Sequence, residues 1–262
     1  PVSLTLISEV FDKNISKANA FHGIFGSLGV STGPLLCYYA TTNFDWQFSF
    51  FIIAIFNLLI APITYFVIPK SKVRASINTL DFKTGNQLKM LKIFFLISLI
   101  VGIVFTIFNT FIPSVFKVAI GEQSNLFVSG ILICGIFGQI LSGFFGDKFN
   151  RMKLLSFVLM ILCPLFIATY FLSNFSLVAV SVLLAIFMYA IQPLINSIIK
   201  DITTAKIRSV VFGINFFLMF GVSGLVAALG GLIADLYSFE SMFRFASLLI
   251  IAGVVLILIQ RR

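Results

Sequence analysis

The chain has 262 residues, 60% of them hydrophobic and only 10% charged, with 33 phenylalanines. A soluble domain is roughly 45–50% apolar and about 25% charged, so a soluble enzyme, a disordered tail and a zinc or disulfide scaffold are excluded, and the solvent of the folded chain is a lipid bilayer. The net charge of +9 does not point to nucleic acid, because the 18 basic residues fall in short clusters between long uncharged runs instead of forming a surface patch.

A helix that crosses the hydrocarbon core needs about 20 mostly apolar residues. Charges and Pro/Asn-rich breaks delimit eight such runs, at 19–40, 47–68, 92–116, 124–146, 154–172, 176–199, 209–234 and 242–260. Lipid forbids unpaired backbone, and the runs are too long and too evenly apolar for barrel strands. The fold class predicted is therefore an all-α membrane protein with eight transmembrane helices.

In chain order, residues 1–18 carry Glu9, Asp12, Lys13 and Lys17 without a signal-peptide pattern, and read as the continuation of a longer protein. The first span has small residues at Gly23, Gly26, Gly29 and Gly33, followed by Pro34; His22 near its start reads as an interfacial imidazole. Residues 69–91 form the one long polar connector and divide the chain into 1–68, with two spans, and 92–262, with six. The third span places Gly102, Thr106, Asn109 and Pro113 on one face; the sixth does the same with Tyr189, Gln192, Pro193 and Asn196. Small-residue faces, which let membrane helices approach closely, return in the fourth span (Gly135, Gly138, Ser142, Gly146) and the seventh (Gly221, Gly224, Ala228, Gly231). Asn57 and Asn215, each alone on its helix, read as interhelical glue.

The spans before and after each loop alternate in a way that sorts the cations. Sixteen of the 18 lysines and arginines fall on one side, leaving Lys117 and Arg244 on the other. Basic loops stay in the cytoplasm, which predicts both ends cytoplasmic. A repeat is also visible: Gly23-Ile24 matches Gly213-Ile214, and Gly29-Val30-Ser31 matches Gly221-Val222-Ser223. With the three-span rhythm of small faces, this points to duplication.

Catalysis finds no support. All nine acids lie in loops or at span ends, no nucleophile is paired with a base, and Cys37, Cys134 and Cys163 stand singly in separate spans. The expectation is no enzyme, no metal and no cofactor. For the polar stripes, interhelical hydrogen bonding competes with cavity lining; shared faces favour cavity lining for Thr106, Asn109, Tyr189, Gln192 and Asn196, and the few charges there suit a neutral or amphipathic solute.

The turn after the fourth span reads Gly143-Phe-Phe-Gly-Asp147-Lys148-Phe-Asn150-Arg151-Met152-Lys153. It resembles the G-x3-D-[RK]-x-G-[RK]-[RK] loop of the major facilitator superfamily, with Asn150 in place of a glycine and Met152 in place of a basic residue. Gly29-x3-Gly33-Pro34 is similar to the fifth-helix signature of that superfamily's antiporters, with Ala20 and Cys37-Tyr38 departing from it. The resemblance implies that the eight spans are the family's fifth to twelfth helices, with the first four missing, and that 69–91 is its central cytoplasmic loop. It implies a secondary active transporter in the plasma membrane, moving a small-molecule substrate by alternating access, as efflux or antiport, and leaves open a coupling ion, proton or sodium. The polar third and sixth spans would be the family's cavity-facing seventh and tenth helices. Gly143, Asp147, Lys148 and Arg151 would form a conformational latch, with Asp147 against the start of the first span near Lys17 to His22. Partners are thus substrate and lipid bilayer, without nucleic acid. A degenerate transporter would keep its helices, so a non-transporting sensor or assembly subunit remains the alternative.

Overall fold

Chains rich in Leu, Ile, Val and Phe with no water to satisfy their backbone must pair each N–H with a carbonyl one turn away. The computed structural model of the chain is helical in that way. It describes residues 2–11, 13–67 and 85–260, among which there is no strand. The helices are α1 (Val2–Val10), α2 (Ile15–Asn43), α3 (Gln47–Val67), α4 (Gly85–Ile120), α5 (Ser124–Gly146), α6 (Arg151–Phe171), α7 (Asn174–Ile202), α8 (Ala205–Phe216), α9 (Ser223–Leu236) and α10 (Phe239–Gln260). A π-helical segment, Phe217–Val222, joins α8 to α9, so the seventh expected span is one long helix with a widened turn in its middle.

Seven helical stretches among the described residues are long and apolar enough to cross a membrane, against eight expected. The difference is α2. Its 29 residues reach about 43 Å at 1.5 Å per residue, ample for a crossing, but glycines, serines, threonines and Asn19 dilute its apolar character. α1 was not foreseen, being short and charged at its end. α4 begins at Gly85 and so takes in the last residues of the expected 69–91 connector, whose residues 69–84 lie outside the described residues.

α5 is the hub. α2 and α7 run along it, α6 packs on α7, and α10 lies against both α4 and α6. Glycine makes these approaches possible: a methyl placed at Gly138 would come within 1.7 Å of the Ile186 carbonyl oxygen on α7, and one at Gly143 within 2.6 Å of the Ala20 methyl on α2. The small-residue face foreseen on α5, Gly135, Gly138, Ser142 and Gly146, is buried throughout. Aromatic stacking fills the other side of the bundle, where Phe166 of α6 meets Phe108 of α4 at 6.4 Å edge-on and Phe243 of α10 at 5.7 Å. α3 touches α2 and buries no residue, the pattern of a helix whose surface faces hydrocarbon.

The face expected on α2 is displaced. Gly29 and Gly33 are exposed, with open space where a methyl would go, and Pro34 is only half-buried. The stripe that packs is Asn19, Gly23, Ser27 and Ser31. Spacing explains it: at about 100° per residue, steps of three drift back by about 60° each, while steps of four advance by only about 40°. From the shared Gly23, therefore, Gly26 and Gly29 rotate away from α5 while Ser27 and Ser31 remain facing it. On the seventh span the foreseen face also lies on the wrong side, with Gly221, Gly224 and Ala228 exposed while Ser223 and Gly230 are buried.

Candidate functional site

α2 begins at Ile15 with Asn14 as its N-terminal flanking residue, and the Asn14 side chain makes no capping bond. The first N–H groups of a helix have no partner within it. Here Asp147, from the end of α5, supplies one: Ser16 N donates to Oδ1 at 2.9 Å and Lys17 N donates to Oδ2 at 3.1 Å. These are the second and third helical positions, the ones an ordinary cap serves from its own chain. The Asp147 side chain is only 6% exposed. A carboxylate in this position also meets the positive end of the helix dipole.

Arg151, one turn further on, ties the arrangement together. Its Nη2 donates to Asp147 Oδ1 at 3.3 Å, its Nε to Ser16 Oγ at 2.9 Å, and its Nη1 to both carboxylate oxygens of Asp201 at 2.6 Å. One guanidinium thus joins the start of α6 to α2, to the end of α7 and to the carboxylate that caps α2. Gly143 and Gly146 let α2 lie this close; a methyl at Gly146 would meet Ser16 Oγ at 2.8 Å. Lys148 points elsewhere, its Nζ 3.8 Å above the Phe144 ring. Asn150, which departs from the family's glycine, caps α6: its Oδ1 accepts from Lys153 N at 3.0 Å. Asparagine is among the best residues for that position.

Sequence reasoning found Gly143, Asp147 and Arg151 but missed Ser16 and Asp201, which lie far away in the chain. It also missed α1, which lies at the same end of the bundle. Arg208 Nη1 donates to Ser8 Oγ at 3.3 Å, His22 Nε2 shares a hydrogen bond with Ser3 Oγ at 2.9 Å, and Lys200 donates to the Phe11 carbonyl.

Of the polar stripes, the structure brings Asn109 and Tyr189 together. Tyr189 donates its hydroxyl to Asn109 Oδ1 at 2.9 Å, and Asn109 Nδ2 donates to the Phe105 carbonyl of its own helix at 2.8 Å. Tyr189 is 2% exposed, its ring against Gly135 on one side and 5.5 Å from the Phe105 ring on another. In this conformation the pair links α4 to α7. Thr106 and Gln192 are half-buried and Asn196 is buried on the same two helices. Gly102 proves to be a contact point: a methyl there would meet the Met219 backbone of the π segment at 2.5 Å. Asn57 and Asn215 do not bridge helices through the bonds found here; Asn57 Nδ2 donates to the Ile53 carbonyl at 2.8 Å and Asn215 Nδ2 reaches Met219 Sδ at 3.4 Å, both within their own stretch of chain. Among the described residues no cluster of His, Cys, Asp and Glu could hold a metal ion.

A sequence model of the Major Facilitator Superfamily matches residues 1–173 and again 94–262, so that the two matches together span the chain. The chain belongs to the Major Facilitator Superfamily. It is accordingly a multi-pass integral membrane protein of a transporter family, and the bundle is the superfamily's all-α architecture. Comparison with curated proteins gives no match.

Proposed function

We propose that this chain forms part of a secondary active transporter that moves a small solute by alternating access, with α2 parting from α5 and α7 when the cytoplasmic side opens. Its helices correspond to the superfamily's fifth to twelfth, with α2 and α3 closing one half, 69–91 connecting the halves, and 92–262 forming the other. In this reading the protein sits in the plasma membrane with the Asp147 end and both chain ends in the cytoplasm, an orientation that the basic clusters support. The observation that carries the reading is the Asp147 carboxylate on the N–H groups of Ser16 and Lys17, because that contact exists only while α2 lies against α5.

A contact biases an equilibrium only by the difference it makes between the two states. A carboxylate at a helix N-terminus contributes about 0.3–1 kcal/mol, and up to about 2 when partly buried. One to two kcal/mol is about a five- to thirty-fold shift in population. Gly143, Asp147 and Arg151 then act as a latch on the outward-open state, and Lys148 and Lys153 hold the turn at the anionic inner leaflet, each by about 1 kcal/mol. Asn109 and Tyr189, with Thr106, Gln192 and Asn196, line the solute path once the halves rearrange. Their uncharged character suits a neutral or amphipathic solute, carried as efflux or antiport against a proton or sodium ion.

The test is Asp147→Asn, read by alkylation of cysteines placed on the buried face of α2. Labelling several-fold faster than in the parent, at unchanged protein yield, is expected. Equal labelling would return Asp147 to the role of an ordinary helix cap.

A further inference from the structure

Between α2 and α5, about 12 Å along the helix from Asp147 at 1.5 Å per residue, lies Gln139. It is fully buried, at 0% exposure, and neither Oε1 nor Nε2 has a hydrogen-bond partner among the described residues. The amide lies against Gly23 of α2, where a methyl would stand 2.9 Å from Nε2. Two further polar atoms on the same stripe of α2 have no hydrogen-bond partner among the described residues: Asn19 Oδ1 and Ser27 Oγ. The other end of the Asn19 amide is satisfied across the interface, donating to Ser197 Oγ of α7 at 3.0 Å.

A buried amide without a partner loses its hydration and gains nothing in return, whereas an apolar side chain of similar shape would fill the same space without penalty. The penalty is confined to the state in which α2 covers α5. When α2 leaves, water reaches the amide and the penalty disappears. From this we infer that Gln139 is the counterweight to Asp147: one group holds the α2–α5 interface shut from its end, and the other opposes closure from its middle. A latch with no opposing term would strand the protein in one state, because a two-state element switches only while the difference between its states stays small. The inference rests on the reading that α2 and α5 separate during the cycle.

The experiment uses Ser27→Cys, buried in the closed interface, in the reconstituted protein with Cys37, Cys134 and Cys163 replaced by alanine. The readout is the alkylation rate with N-ethylmaleimide, which crosses membranes and so reports opening from either side. Gln139→Leu is expected to slow labelling about five-fold or more, Asp147→Asn to speed it, and the double variant to return towards the parent rate. Gln139→Met, which keeps the unbranched shape, should act as Gln139→Leu does and covers the case in which leucine disturbs folding. If Asp147→Asn speeds labelling while both Gln139 variants leave it unchanged or raise it, the counterweight is refuted and the moving interface stands. If no variant changes the rate, the moving interface and the counterweight fall together.

Discussion

Gly138 shows what a single absent methyl does in this bundle. The Ile186 carbonyl occupies the place where an alanine methyl would sit, at 1.7 Å, and a backbone oxygen in the middle of α7 cannot step aside as a flexible side chain can. Gly138→Ala is expected to cost about 1–3 kcal/mol through overpacking, seen as a lower thermal midpoint in detergent, while Gly33→Ala, which meets open space, leaves the midpoint within about 1–2 °C. At Asn109 and Tyr189 the shared hydrogen bond predicts coupling. Asn109→Ala and Tyr189→Phe each destabilise alone, and together they cost less than the sum by about 0.6 kcal/mol, the usual worth of such a bond in a membrane bundle; additive midpoints would mean that the bond contributes nothing. The residue scale is also where the sequence was most and least informative. Asp147 and Arg151 were visible because they belong to one continuous turn. Asp201 and Ser16 were not, since nothing local marks a partner 50 or 135 positions away. Gln139 escaped notice because polar groups were sought in stripes, and it stands among glycines.

Helix ends and helix faces differ in how well a one-dimensional pattern describes them. α6 starts where Asn150 can cap it, so Asn150→Ala is expected to destabilise by about 0.5–2 kcal/mol, with Asn150→Asp retaining most of the stability; equal midpoints for alanine and aspartate would argue that the cap is idle. Spans were legible because hydrophobic length is a strong constraint in lipid. Faces were legible only where small residues follow the true period, as on α5; on α2 a run of glycines spaced by three drew attention to the wrong side. α4 begins before its apolar stretch, because a helix outside the hydrocarbon can start on polar residues that hydropathy does not count. The π segment was invisible for a different reason. Its widened turn meets Gly102 of α4 at the Met219 backbone, and Ser223 Oγ donates to the Leu218 carbonyl at 2.9 Å, so tertiary contact and a side-chain bond select it over the plain α-helix.

For the whole molecule, the alternation of basic and nearly uncharged loops predicts that Lys153 and Gln123, at opposite ends of the bundle, face opposite sides of the membrane. Single cysteines at these two positions should label from opposite sides with an impermeant reagent; labelling from one side would overturn the topology. In the proposed cycle Asp147 keeps α2 docked on α5, and its loss lets them part. Spin labels at Lys13→Cys, just before α2, and Lys153→Cys, in the first turn of α6 after the Asp147 turn, both exposed at the Asp147 end, report that separation by pulsed electron–electron resonance in lipid. Two distance populations are expected, with the longer one enriched several-fold by Asp147→Asn and depleted by Gln139→Leu. A single population, identical in the parent and in Asp147→Asn, would contradict the proposed cycle.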